Sequence, residues 1–312
     1  MPAWVIVAVA AYLILAIVNL LDKFLVETVL KNSRAYAFAA CILGLLVVLA
    51  GPWLLAWPGW LLFGLNLLNG FVFASALWAL YEALRRGEAS RILVFVGGLT
   101  PIFSLFFSIL FWHENFSLEQ WSGMFLILSG VFLIAFLPVE RSYLARVFRK
   151  LRFSQDDKRG GLLIAGLSAF AYSAYFLGTK YAYSYQPFAS AFIWTRLGAA
   201  LFVLFFLLRK KDRRAIMDSF RQPSGSRNNF LVIFNQGLGS LGFILQNYAI
   251  FLGSVVLVNA LQGIQYAFLL VISTILALLA PRLLKETFSW RILLHKTVAV
   301  AVIMAGLYFL AF

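Results

Sequence analysis

The chain has 312 residues, of which 63% are hydrophobic and only 12% charged, a mean hydropathy of +0.91 and a formal net charge of +14. A soluble globule of this size has too little polar side chain to cover so much apolar surface, so the composition excludes a water-soluble fold and requires a bilayer as solvent. The lone cysteine, Cys41, excludes an internal disulfide.

A hydrocarbon layer of about 30 Å is crossed by a helix of roughly 20 apolar residues. Apolar runs of that kind are predicted at 4–25, 34–56, 59–82, 91–112 and 118–138, then at 160–181, 188–208, 229–251, 254–279 and 289–311. Long continuous runs predict helices rather than barrel strands, because backbone groups in lipid must find partners inside their own segment. The fold class expected is therefore an all-α integral membrane protein with ten transmembrane helices. The first run lacks a basic flank and a small-residue cleavage site, so it is expected to remain as a span.

The basic residues are confined to alternate loops. Lys23, Lys31 and Arg34 follow the first run, and Arg85, Arg86 and Arg91 follow the third. Seven lie between Arg141 and Arg159, seven between Arg209 and Arg227, and Arg282, Lys285, Arg291 and Lys296 flank the last loop. Together these are 24 of the 26 Lys and Arg residues. The intervening loops carry none, which places the basic side in the cytoplasm and both termini on the other face. Trp4, Trp53, Trp57, Trp60, Trp112 and Trp121 gather at the uncharged end, as interfacial aromatics do. The run from Arg141 to Arg152 mixes basic and apolar residues at helical spacing, which suits anionic lipid headgroups. Neither long basic loop adds stacking aromatics or a folded module, so nucleic acid is not an expected partner.

The sequence Glu114-Asn115-Phe116-Ser117 returns as Glu286-Thr287-Phe288-Ser289, each between two long apolar runs near the end of a chain half. A tandem duplication follows, with one unit at 1–139, a basic linker at 140–159 and a second unit at 160–312. Five runs per unit is an odd number, so the second copy enters the membrane inverted. Inverted repeats place a binding site near the midplane between the copies. Glu114 and Glu286 are expected to cap the helices that follow them.

Polar side chains inside apolar runs are expensive and normally face a bundle interior or a wet cavity. Ser168, Tyr172, Tyr175 and Thr179 share one face of the sixth run by their spacing, and Asn235, Gly239, Gly242 and Gln246 repeat that spacing in the eighth. Asn259, Gln262 and Tyr266 follow in the ninth run, Asn66 and Asn69 in the third, and Tyr12 and Asn19 in the first. Such residues either line a substrate cavity or bond helix to helix. Arg196 falls in the middle of the seventh run and Lys180 near the end of the sixth. Glu82 lies close enough to the membrane to carry a proton or to pair with Arg85 and Arg86. Pro101 should kink or hinge the fourth run. Gly237-Leu-Gly239-Ser-Leu-Gly242 matches a dinucleotide fingerprint only as a string, since no strand precedes it. No Cys/His cluster, phosphate loop or nucleophile elbow is present, so no metal or cofactor is expected and an enzyme is disfavoured.

The run Ala83-Leu84, Ala89-Ser90, Leu99-Thr100-Pro101-Ile102-Phe103, Glu114, Gly123 and Gly130-Val131 resembles the EamA-type transporters of the drug/metabolite transporter superfamily. The second half follows more loosely through Trp194-Thr195-Arg196-Leu197-Gly198, Gly263-Ile264-Gln265-Tyr266, Glu286 and Gly306. The resemblance implies a secondary transporter, generally an exporter, of small metabolites or drugs at the cytoplasmic (cell inner) membrane. It also implies a cavity between runs one, three, four, six, eight and nine, with room for proton coupling and a homodimer. A lipid-carrier flippase and, less favoured, a membrane-embedded enzyme are the alternatives. Familiar members have cytoplasmic termini, which the charge pattern here reverses, and the second half has no proline where Pro101 stands.

Overall fold

Deprived of water, the backbone of a long apolar run satisfies its N–H and C=O groups by coiling, and the chain does so throughout the described residues. The structure is a computed structural model and describes residues 2–28, 32–86, 89–135, 158–221, 226–279 and 290–311. In chain order the first half contains α1 (Ala3–Thr28), α2 (Ser33–Gly44), α3 (Gly51–Leu54), α4 (Trp60–Arg86), α5 (Ala89–Trp112) and α6 (Leu118–Ala135). The second half contains α7 (Lys158–Tyr185), α8 (Phe188–Leu204), α9 (Lys210–Arg221), α10 (Ser226–Leu252), α11 (Val255–Ala260), α12 (Gln262–Leu279) and α13 (Trp290–Ala311).

Among the described residues, six segments are long and apolar enough to cross a membrane: Ala3–Asp22, Ser33–Leu54, Trp60–Arg86, Phe95–Trp112, Gly160–Tyr185 and Phe188–Leu208. Shorter apolar helices occupy Leu118–Leu133, Val255–Leu269 and Thr297–Leu310. Helix α10 falls outside both groups, and Asn235, Gln236, Gln246 and Asn247 along it explain the lower hydropathy. The second and ninth runs are not continuous α-helices. The second tightens into a 3-10 stretch at Leu45–Ala50 before α3, and the ninth is interrupted at Leu261 between α11 and α12.

Burial is inverted relative to a soluble protein. Trp53 and Trp60 are about four-fifths exposed, and Leu49, Phe125, Leu163 and Leu208 also face outward. Asn66, Asn69, Asn235, Gln246, Asn247 and Asn259 are buried. A bundle with an apolar outer wall and amides inside is stable only where the surroundings are as apolar as the wall.

Two glycine contacts set the closest helix approaches. At Gly70 and Gly198 the backbones of α4 and α8 come so near that a Cβ on either would strike the other helix's main chain. At Gly123 and Gly306 a Cβ on either would lie 2.8–2.9 Å from the other's carbonyl oxygen, which locks α6 against α13. The other main pairings are α4 with α7, α1 with α10, α5 with α7 and α1 with α12.

The loops sort to two ends. At one, Ser33 donates to Glu82 (2.7 Å), Glu82 pairs with Arg85 and Arg86 (2.7 Å each), and Arg34 pairs with Asp212 on α9. At the other, Ser190 donates to the Ala56 carbonyl (2.9 Å), Trp194 Nε1 does the same (3.2 Å), and Ser254 donates to Glu114 (2.8 Å). Trp57, Trp60, Phe63 and Trp194 cluster there edge to face. The basic loops and the tryptophan-rich loops that the structure describes are thus at opposite ends of the bundle.

One expectation is corrected. Glu114 does not cap α6; Ser117 and Gln120 form a reciprocal capping box at 3.3 and 3.0 Å, and Glu114 ties its loop to Ser254 instead. The repeated motif at 286–289 and the basic linker at 140–157 lie outside the described residues.

Candidate functional site

The polar stripes read from the sequence face the interior, but they divide into two networks. In the first, Asn66 and Gln186 exchange amide hydrogen bonds at 3.2 and 3.1 Å, and Asn69 Nδ2 donates to Thr179 Oγ1 at 3.0 Å. Tyr175 and Tyr183 both donate to Asn247 Oδ1, at 2.9 and 3.3 Å, and Ser168 donates to the Ala76 carbonyl at 2.8 Å. These bonds join α4, α7 and α10.

The second network joins α1, α5, α10 and the broken α11–α12 pair. Tyr12 donates to the Val258 carbonyl at 2.7 Å and accepts from Gln246 at 3.3 Å. Asn259 donates to Ser104 at 2.9 Å, while its Oδ1 is buried with no partner among the described residues. Tyr266 reaches the Leu93 carbonyl at 2.6 Å and lies against Gly97, one turn before Pro101. The Thr100 carbonyl, beside the proline, accepts from Ser173 at 2.8 Å. Gln262 and Asn19 are half-buried. Toward the basic end, Asp22 accepts from Tyr36 and from Asn235 (2.6 Å), and Asn235 Oδ1 has no partner among the described residues.

Between the networks lies an aromatic cluster that the sequence reading missed in part. Phe73 of α4, Tyr172, Tyr175 and Phe176 of α7 and Phe243 of α10 have ring centroids 5.0–6.2 Å apart, the spacing of offset and edge contacts. Arg196 extends from α8 into this cluster. Its guanidinium carbon is 4.2 Å from the Phe73 ring centre, 4.5 Å from Phe243 and 4.6 Å from Phe192. The residue is only 6% exposed, and its Nη2 has no hydrogen-bond partner among the described residues. Three rings stabilise the cation through their quadrupoles but offer no lone pair to its N–H donors.

Lys180 is placed differently. Its ammonium donates to the carbonyls of Ile250 (3.0 Å), Phe251 (3.2 Å) and Gly253 (2.8 Å), so it closes the C-terminal end of α10. Glu82 is held by Ser33, Arg85 and Arg86 at the basic end. Neither side chain joins Arg196.

Of the residues missed, Asn247 sits beside Gln246 but on another face of α10, and Gln186 lies just beyond its apolar run. Phe73, Phe192 and Phe243 carried no signal, because a phenylalanine among 32 in apolar runs has nothing to distinguish it.

A helical bundle with an apolar exterior and a buried polar and aromatic interior defines a multi-pass membrane protein. Residues 2–136 match the model of the EamA-like transporter family, the family that the sequence resembles. Over 141 residues the chain is 31% identical to the "Uncharacterized transporter YdfC" of Bacillus subtilis (strain 168), an alignment covering 44% of this chain and about two fifths (40%) of that protein's length. A crystal structure of a protein 16% identical superimposes with a TM-score of 0.65, covering 98% of this chain and 94% of that one, and so shares its fold.

Proposed function

We propose that the protein is a secondary transporter of small organic solutes that works by alternating access at the cytoplasmic membrane. Its ten spans form two inverted five-helix repeats, 1–139 and 160–312, joined by the basic linker 140–159. The observation that carries this reading is the symmetry of helix pairing. Exchanging the first and sixth, third and eighth, and fourth and ninth runs turns the α1–α10 pair into α7–α4 and the α5–α7 pair into α12–α1, while α6–α13, from the fifth and tenth runs, maps onto itself. Such pairing is what an inverted duplication produces, and it puts the contact between halves at the centre of the bundle.

The charge pattern supports cytoplasmic loops at the Glu82–Arg34 end and external termini. Export is the direction that the family resemblance favours. Exposed Lys210, Lys211, Arg213 and Arg214 on α9 suit an anionic leaflet. Glu82, engaged by two arginines, serves better as an ion-pair partner than as a proton carrier. Lys180, closed over by helix carbonyls, gives no support to a flippase with basic residues at an open groove.

Counterflow in proteoliposomes tests the reading. The purified chain, preloaded with unlabelled solute, should accumulate labelled solute of the same class from a set spanning carboxylates, neutral amides and amines. No accumulation from any class by monodisperse, folded protein would sink the proposal. Orientation is tested with a cysteine added after Phe312 in a Cys41→Ser background. The external assignment requires reaction with an impermeant thiol reagent in intact cells.

A further inference from the structure

We infer that Arg196 is the anchor for an anionic group of the solute, so that the favoured substrates are small organic monoanions, carboxylates above all, with a flat or apolar body. The inference rests on the transport reading and adds to it a substrate class and a recognition residue.

Four observations converge on this assignment. The side chain is more than nine-tenths buried in the middle of an apolar helix, where an uncompensated guanidinium is strongly disfavoured. Four of the described carboxylates are engaged elsewhere, Asp22 by Tyr36 and Asn235, Glu82 by Ser33, Arg85 and Arg86, Glu114 by Ser254, and Asp212 by Arg34, while Glu119 and Asp218 are exposed on the outside. The rings of Phe73, Phe192 and Phe243 steady the positive charge, yet Nη2 has no acceptor among the described residues.

The fourth observation is location. Phe73 belongs to the first half of the chain, as does Gly44, whose added Cβ would stand 3.9 Å from the Arg196 Cδ. Phe192 and Phe243 belong to the second. The guanidinium therefore sits where the halves meet, and helix α8 reaches α10 through long side chains, Arg196 to Phe243 and Phe188 to Tyr248 and Phe251. A guanidinium fork matches a carboxylate in a bidentate pair, and the surrounding rings match the flat body such an acid would carry. A neutral solute of the same shape would leave the buried donors unmatched.

An oxyanion could equally come from a phospholipid headgroup, so the test separates the two. Full-length protein in phosphatidylcholine nanodiscs is titrated with benzoate, its neutral isostere benzamide and the cation benzylamine, and the unfolding temperature is followed. Benzoate should give a saturable rise, with benzamide and benzylamine requiring about tenfold or more higher concentration. Arg196→Lys should weaken the benzoate response about tenfold while keeping the preference for the anion, and Arg196→Gln should abolish that preference. Should Arg196→Gln fail to fold, the wild-type charge series and Arg196→Lys decide the matter. Equal responses to benzoate and benzamide, or a benzoate response unchanged in both variants, would overturn the assignment. So would the absence of a response to any of the three probes. An Arg196-dependent rise produced only by adding phosphatidylglycerol to the nanodiscs would overturn it in favour of a lipid headgroup. In each of these cases persisting counterflow leaves the transport reading standing, whereas its loss for every solute class removes that reading as well.

Discussion

Among the contacts between the halves, two that the proposed repeat symmetry relates are built differently. Between α4 and α8 the main chains meet directly: Gly70 faces Thr195 and Ala199, Gly198 faces Leu67, and Phe71 and Phe202 continue the contact. Between α2 and α10, the pair that the proposed repeat symmetry would make equivalent, contact is sparse. It includes Tyr36 packing near Val232, with Asp22 of α1 bridging Tyr36 and Asn235. Glycine seams are rigid because a main-chain contact leaves nothing to rearrange. A seam of hydrogen bonds and long side chains can open at little cost in packing. The asymmetry teaches that one face of the bundle is zipped while its counterpart is held at a polar tether, an arrangement consistent with the proposed alternating access.

The largest expected effect comes from breaking the zipped seam. Gly198→Leu places a side chain where backbone already stands, and overpacking of this kind costs about 1–3 kcal/mol or more. A drop in monodisperse yield and unfolding temperature is the readout. Gly44→Ala, at the edge of the looser face, meets only the Arg196 Cδ at 3.9 Å and should be neutral or slightly stabilising by helix propensity, worth about 0.5–1 kcal/mol. Equal damage from both changes would contradict the comparison.

Next comes the tether. Asp22→Ala leaves Tyr36 and Asn235 without their shared acceptor, a loss of about 1–3 kcal/mol. It should also raise cysteine labelling at positions along α2, while labelling along α4 stays unchanged. Loosening of α4 instead would mean that the seams are not independent.

Lys180→Met removes three bonds to the end of α10 and should lower stability by about 1–3 kcal/mol, an upper range because the ammonium is half-buried and reachable by water. Hydrogen exchange should rise at residues 250–253 and not at the Asp22 end. The smallest effect belongs to the Arg34–Asp212 pair. A double-mutant cycle there should return a coupling below about 1 kcal/mol that fades with salt, since the arginine is partly exposed.

Much of the helical layout was legible in advance, because the need to satisfy the backbone in lipid writes itself into long apolar runs. Ser168, Tyr175, Asn235, Gln246 and Asn259 were recognised as inward-facing from spacing alone, since a polar atom in an apolar run has few places to go. Their partners were not. Nothing in the order of residues pairs Asn66 with Gln186, 120 positions apart, or brings Phe73 and Phe243 onto Arg196. The breaks at Leu45 and Leu261 also went unread, because hydropathy averages over a turn and does not register local changes in helix geometry.

By itself, then, the sequence determined that this is a helical membrane protein, that its basic loops and its tryptophans belong to opposite ends, and which polar side chains turn inward. Those properties follow from one-dimensional patterns of charge, hydropathy and spacing. Only the tertiary structure decided which inward side chains bond to one another and which seam is closed. It also decided that Arg196, rather than Lys180, has an Nη2 without an acceptor among the described residues at the meeting of the halves. These depend on distances between residues far apart in the chain, which helix packing sets and local pattern does not encode.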